Sequence, residues 1–163
     1  MHDLILEKYH SLTSLLIRKN LTITTMESCT GGLIGALISD MEGASAIVPG
    51  GFFTYQNDSK IDCGVDPDII KAYGVYSLET AGSMASACRK RYGTDIGIGI
   101  TGSIATKDPN NADSVPGEVY AAIDLKGEVS GFLIRLTPAT RWESRMAIAD
   151  KVADELVGLI NRE

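Results

Sequence analysis

Leu21-Thr-Ile-Thr-Thr-Met-Glu-Ser-Cys-Thr-Gly-Gly32 opens as a short β-branched strand and closes as a turn. Beyond it Leu33, Ile34, Leu37 and Ile38 recur at helical spacing as far as about Asp40. A strand, a tight turn and a helix in that order predict a crossover unit, whose flanking strands run parallel. In such sheets ligand sites gather at the carboxyl ends of strands, where the chain turns into a helix. Glu27-Ser28-Cys29-Thr30 occupies that place and holds two candidate nucleophiles side by side.

Working outward, residues 3 to 18 place Ile5, Tyr9, Leu12 and Leu16 on one helical face. Gly50 to Gln56, with Phe52, Phe53 and Tyr55, reads as a second strand. Asp66-Pro67 starts a helix, since Asp accepts free N–H groups and Pro suits the first turn; Gly74 ends it. Leu78 to Tyr92 is a further helix, apolar at Ala81, Met84, Ala85 and Cys88. Thr94 to Thr101 is a strand buried on both faces, and residues 102 to 116 form a polar loop. Glu118–Leu125 and Val129–Leu136 make a hairpin across Lys126-Gly127. Thr140-Arg-Trp-Glu143 is a capping box that starts a long helix with the stripe Trp142, Met146, Ala149, Ala153, Leu156 and Ile160. The fold class is α/β: a single domain over 1–163, with one mixed sheet of about five strands between helical layers.

The chain carries 15 basic and 21 acidic residues, a net charge of −6. That excludes a broad nucleic-acid footprint, which depends on neutralising phosphates, but leaves room for a small anion at a local cluster of arginines. Cys29, Cys63 and Cys88 are odd in number and lack a C-x-x-C pair, which predicts reduced thiols in a cytoplasmic protein. His2 and His10 are too few for a His-rich metal site. Acidic residues interrupt the apolar run at the start, so no signal peptide is expected, and no run of about 18 apolar residues predicts a membrane partner.

Gly97-Ile-Gly-Ile-Thr-Gly102 matches a dinucleotide fingerprint, but it lies inside a strand with a polar loop after it, not a helix. It reads as a central strand that needs small residues where a helix packs closely. Thr30, Gly31 and Gly32 leave backbone N–H groups at a helix start that suit an anion or a developing oxyanion, or Thr30 simply caps the helix. A serine nucleophile needs a base. His2 and His10 are poorly placed to supply one, which leaves Lys60, in Tyr55-Gln-Asn-Asp-Ser-Lys60 at the end of the second strand. Lys60 equally reads as a solvated charge, and Tyr55 as an aromatic at the edge of the core. Arg141 and Arg145, four residues apart on the last helix, suit a phosphate clamp or a solvated face.

Together these segments resemble the CinA C-terminal domain family, including the stand-alone nicotinamide mononucleotide deamidases. The carriers are Glu27-Ser-Cys-Thr-Gly-Gly32, Gly43-Ala-Ser-Ala46, Gly51-Phe-Phe-Thr-Tyr-Gln-Asn57 with Lys60, Gly64-Val65, Gly74-Val-Tyr-Ser77 and Thr101-Gly102. The resemblance implies a three-layer α/β/α sandwich and an amidohydrolase that needs neither metal nor cofactor. Its substrate would be a nucleotide, nicotinamide mononucleotide, converted with water to nicotinic acid mononucleotide and ammonia. The implied nucleophile is Ser28, the base Lys60 and the assisting phenol Tyr55. Thr30, Gly31, Gly32, Thr101, Gly102, Arg141 and Arg145 would bind substrate, with Cys29 turned into packing. A homo-oligomer is expected, without the pyrophosphatase domain of longer relatives.

The sequence departs from the family pattern after Gly102. Where Ile-Ala-Gly-Pro and a glycine run are usual, it reads Ser103-Ile-Ala-Thr-Lys-Asp-Pro109. Pro138-Ala-Thr-Arg141 likewise lacks the Asp that commonly precedes the arginine. The altered loop leaves two further readings open: a catalytically weak domain that binds a nucleotide or a protein partner, and an amidase for another small amide.

Overall fold

The computed structural model describes residues 1–162. The helices are α1 (His2–Lys19), α2 (Leu33–Ser39), α3 (Asn57–Asp62), α4 (Pro67–Tyr73), α5 (Leu78–Tyr92) and α6 (Arg141–Ile160). The strands are β1 (Ile23–Glu27), β2 (Phe52–Phe53), β3 (Ile96–Gly102), β4 (Glu118–Leu125) and β5 (Glu128–Arg135). They form one mixed sheet in the order β2-β1-β3-β4-β5. β1 is parallel to both β2 and β3, and the hairpin adds β4 and β5 antiparallel. Lys126 and Gly127 both take positive φ at the hairpin turn, which suits the twist of the strands it joins.

Side-chain alternation along β3 explains the layers. Ile96, Ile98 and Ile100 face one way, into a core shared with α1, α2 and α6. Gly97 and Gly99 face the other way, against α5. A Cβ on either would come within 2.1 Å of the Ala85 or Ala81 carbonyl, so only glycine admits this approach. The glycine pattern is thus a packing surface, as its position inside a strand predicted. The result is an α/β/α sandwich whose third layer is α5 with α4 beside it.

Three local differences from the sequence reading matter. The second strand is only two residues long, because the chain leaves the sheet at Thr54 and coils into α3. That helix is too short to show a hydrophobic period. Its start is held by Ser59, whose hydroxyl accepts from Gln56 N at 3.2 Å and donates to Gln56 O at 2.7 Å. Trp142 is not part of the buried α6 stripe: it is half exposed, and its indole N–H donates to His2 Nε2 at 3.1 Å. The 102 to 116 segment has no helix or strand after Gly102, yet it is cross-tied. Ser103 Oγ donates to Thr106 O, Asp108 N to Ser114 Oγ, and Gly117 N to Ser103 O. Among the described residues no helix is long and apolar enough to cross a membrane.

Candidate active site

β1, β2 and β3 end side by side, and each delivers one wall of the same site. Backbone pairing continues one residue past the strands: Ser28 N donates to Ile100 O at 3.1 Å and Thr54 N to Glu27 O at 2.8 Å. Ser28 is therefore held rigidly at the carboxyl end of β1. The turn after it reverses through Gly31 and Gly32 at φ +66° and +90°, a conformation that favours glycine.

Beneath the turn lies a carboxylate that sequence reading passed over. Glu27 is fully buried. It accepts from Thr25 Oγ1 (3.1 Å), Thr30 Oγ1 (2.6 Å), Ile34 N (3.0 Å) and Gly35 N (2.8 Å). The first N–H groups of α2 are thus already satisfied by the protein's own anion. Gly31 N is also engaged, donating to Ser28 O at 3.0 Å. The expected anion site at Thr30, Gly31 and Gly32 is corrected accordingly: these residues shape the turn and do not line the cavity.

Lys60 comes from α3, a helix and not the strand end that its sequence position suggested. The helix turns its side chain back under Ser28, where only 1% of it is exposed. Its Nζ donates to Thr54 O at 2.9 Å and to Ser28 Oγ at 3.2 Å. Burial pulls the ammonium down from the ordinary 10.5 to about 8, while Cys29 and Asp108 pull weakly the other way. A partly neutral amine within hydrogen-bond reach of a buried hydroxyl is the geometry of a serine activated by lysine.

Cys29 is buried in the main core, and burial pushes its thiol up to about 12. A thiol so rarely ionised is a poor nucleophile. Its carbonyl, not its sulfur, serves the site by accepting from Arg145 Nε at 3.1 Å. Arg145 thereby packs under Gly31, where an added Cβ would sit 3.3 Å from the guanidinium. Arg145 thus braces the turn after Ser28 and does not line the cavity.

A cavity of about 740 Å³ opens in front of Ser28, walled by Tyr55, Tyr76, Asp108, Asn111 and Arg141 among others. Gly102 lines it too. Thr101 does not: it is fully buried and its hydroxyl donates to Val75 O at 3.1 Å, tying the loop before α5 to the end of β3. Tyr55, implied as the assisting phenol, lines the cavity away from the core. It is 55% exposed, and its hydroxyl accepts from Arg141 Nη2 at 2.7 Å. Tyr55 and Arg141 form a polar pair at the cavity mouth. Tyr76, Asp108, Asn57 and Asn111 also line the wall; the first three fall in segments quoted above, but none was singled out as a site residue, because no period or spacing marks such polar side chains.

The model of the CinA C-terminal domain family matches residues 7–160. The chain belongs to this family. A CinA-like protein of Gemmatimonas aurantiaca is 38% identical over 146 residues, which cover 89% of this chain and 34% of that protein. The chain thus spans about a third of the length of the curated relatives it matches. The crystal structure of the competence/damage inducible protein CihA from Agrobacterium tumefaciens superposes with a TM-score of 0.86 at 31% identity, covering 95% of this chain and 94% of that one. A competence or damage-inducible protein from Enterobacter asburiae superposes at 0.88, with 95% and 97% covered; at 22% identity it supports the fold alone. The strand-end site with its buried serine and lysine therefore sits on a CinA fold.

Proposed function

We propose that this CinA-family domain is an amidohydrolase that converts nicotinamide mononucleotide and water to nicotinic acid mononucleotide and ammonia. The observation that carries the reading is the 3.2 Å contact between Lys60 Nζ and Ser28 Oγ, with both groups buried. Lys60, held by Thr54 O, takes the Ser28 proton as Oγ attacks the carboxamide carbon. The tetrahedral intermediate forms in the cavity in front of Ser28. As the C–N bond breaks, the Lys60 ammonium gives its proton to the leaving nitrogen, which departs as ammonia. Lys60 then deprotonates a water that cleaves the Ser28 ester, and Ser28 recovers its hydrogen as the acid leaves. In this reading Arg141, which lines the cavity, binds the substrate's phosphate through a charge-assisted contact.

The test is ammonia release from nicotinamide mononucleotide by purified protein, with Ser28→Ala as the control. Turnover by the wild type and none by the variant supports the reading. Binding of the mononucleotide without ammonia release would replace it with the nucleotide-binding alternative, to which the altered segment after Gly102 lends weight. Release from small carboxamides but not from the mononucleotide would redirect it to another amide.

A further inference from the structure

The loop that departs most from the family pattern puts a fixed negative charge into the cavity. Asp108 is half buried. Its Oδ2 accepts from the Tyr76 hydroxyl at 2.5 Å and from Asn111 Nδ2 at 2.7 Å, and its Oδ1 from Asn110 N at 2.9 Å. Asn57 at the start of α3 donates to Asn111 Oδ1 at 2.9 Å, so the cluster is bolted to the helix that carries Lys60. These bonds hold the Asp108 carboxyl below its ordinary range, Asn111 contributing most and Tyr76 next. Burial and the same bond keep the Tyr76 phenol protonated as a donor. Asp108 is also close enough to Lys60 for each to stabilise the other's charged form.

The cavity wall holds other charges. Asp58 and Lys107 are both exposed, hence free to move and screened by solvent. Asp108 is the acid whose position is set by several bonds. The cavity wall therefore carries a fixed carboxylate, Asp108, which offsets the charge of Lys60, and a positive group, Arg141, paired with Tyr55. A ligand with the opposite polarity fits: a cationic ring carrying the carboxamide, joined to an anionic phosphate.

We propose that Asp108 is a specificity-determining residue that selects substrates whose reacting carboxamide is borne on a positively charged pyridinium ring. This inference rests on the amidohydrolase reading and names the electrostatic basis of its substrate choice. The Tyr76–Asp108–Asn111 cluster fixes the carboxylate so that it faces the ring without reorganisation as the substrate arrives. A neutral ring of the same shape forgoes that attraction. The loop sequence Thr106-Lys-Asp-Pro-Asn-Asn111 would thus replace a family glycine run with a charged recognition element.

The test compares nicotinamide mononucleotide with its 1,4-dihydro form, which keeps the carboxamide, ribose and phosphate but has a neutral ring. The kcat/KM ratio of the two is measured for wild type and Asp108→Asn, so that intrinsic reactivity cancels. The expected result is that the variant's preference for the cationic form falls about tenfold, with the neutral form little changed. A parallel calorimetric titration of both compounds into Ser28→Ala and into the Ser28→Ala/Asp108→Asn double variant reads the same ratio without chemistry. An unchanged ratio, or equal losses on both compounds, would overturn the inference and reduce Asp108 to a brace of its loop. Failure of the wild type to release ammonia would overturn the amidohydrolase reading alone, and the binding ratio would still decide the role of Asp108. Binding of neither compound to Ser28→Ala would overturn both.

Discussion

Glu27 Oε2 lies 2.6 Å from Thr30 Oγ1, and the same carboxylate receives the amides of Ile34 and Gly35. The residue before Ser28 thus clamps the residues after it. Because the carboxylate is fully buried, each lost bond strands a donor away from water. Glu27→Gln keeps the shape but presents an NH₂ group to donors. We expect a loss of about 3 kcal/mol in urea unfolding, together with loss of ammonia release from a displaced Ser28. A variant as stable and active as wild type would show that the clamp is dispensable.

Lys60 sets the pH dependence. Its ammonium is lowered to about 8, so the neutral, proton-accepting form grows as pH rises through that value. The rate should increase between about pH 7 and 9 and then level. Lys60→Arg should lose activity as fully as Lys60→Ala, because guanidinium stays protonated. Near-normal turnover in Lys60→Arg would mean that only a positive charge is needed.

The same lysine opposes folding. Below about pH 8 it is charged in both native and unfolded chains, and the native state bears the full cost of burying the ammonium. Between about 8 and 10.5 the unfolded chain binds more protons, so stability rises with pH and the cost disappears above 10.5. Lys60→Met should therefore be more stable than wild type by roughly 1–2 kcal/mol at pH 7, with the gap closing toward pH 10.5. Chemical denaturation at both pH values checks this, and a gap that widens with pH would contradict it.

Arg141 and Arg145 should separate cleanly despite their spacing. Arg141 meets Tyr55 at the cavity mouth, and Arg145 grips the Cys29 carbonyl. Arg141→Ala should raise KM for the mononucleotide by about 10- to 100-fold, the worth of a charge-assisted contact, and leave unfolding almost unchanged. Arg145→Ala should instead lower kcat and stability together, by about 1–2 kcal/mol in unfolding. Identical profiles for the two variants would rule out this division.

Cys29 should be silent to thiol chemistry. Its sulfur is buried and its ionisation pushed up to about 12, whereas Cys63 is only half buried. Iodoacetamide at pH 7.5 should label Cys63 first and leave ammonia release intact. Cys29→Ala should keep its activity and lose about 1 kcal/mol of stability. Inactivation that tracks labelling of Cys29 would move the nucleophile one residue along.

Much of the fold was legible because it rests on local, repeating signals. The strand-turn-helix around Ser28, the α5 boundaries, the hairpin and the α6 capping box each follow from side-chain period or terminal chemistry within a few residues. So does the reading of Gly97 and Gly99 as packing positions. Ser28 and Lys60 were legible as candidates, and Arg141 as a cation near a helix start. Composition fixed the charge and the odd thiol count.

The tertiary structure alone decided which candidates meet. Lys60 reaches Ser28 because β2 stops after two residues and a six-residue helix reverses the chain, an event too short to leave a period. Tyr55 faces Arg141 rather than Lys60 because that same reversal sends the two side chains opposite ways. Thr101 and Arg145 became braces because each found a backbone carbonyl, at Val75 and Cys29, that no local pattern announces. Glu27 was hidden because a buried carboxylate looks no different in sequence from an exposed one. Its meaning comes from four donors, two of them amides seven and eight residues downstream. Charge, period and capping act over a few residues and are written in the chain, whereas the pairing of buried polar groups depends on contacts across the sheet ends that exist only once the layers have closed.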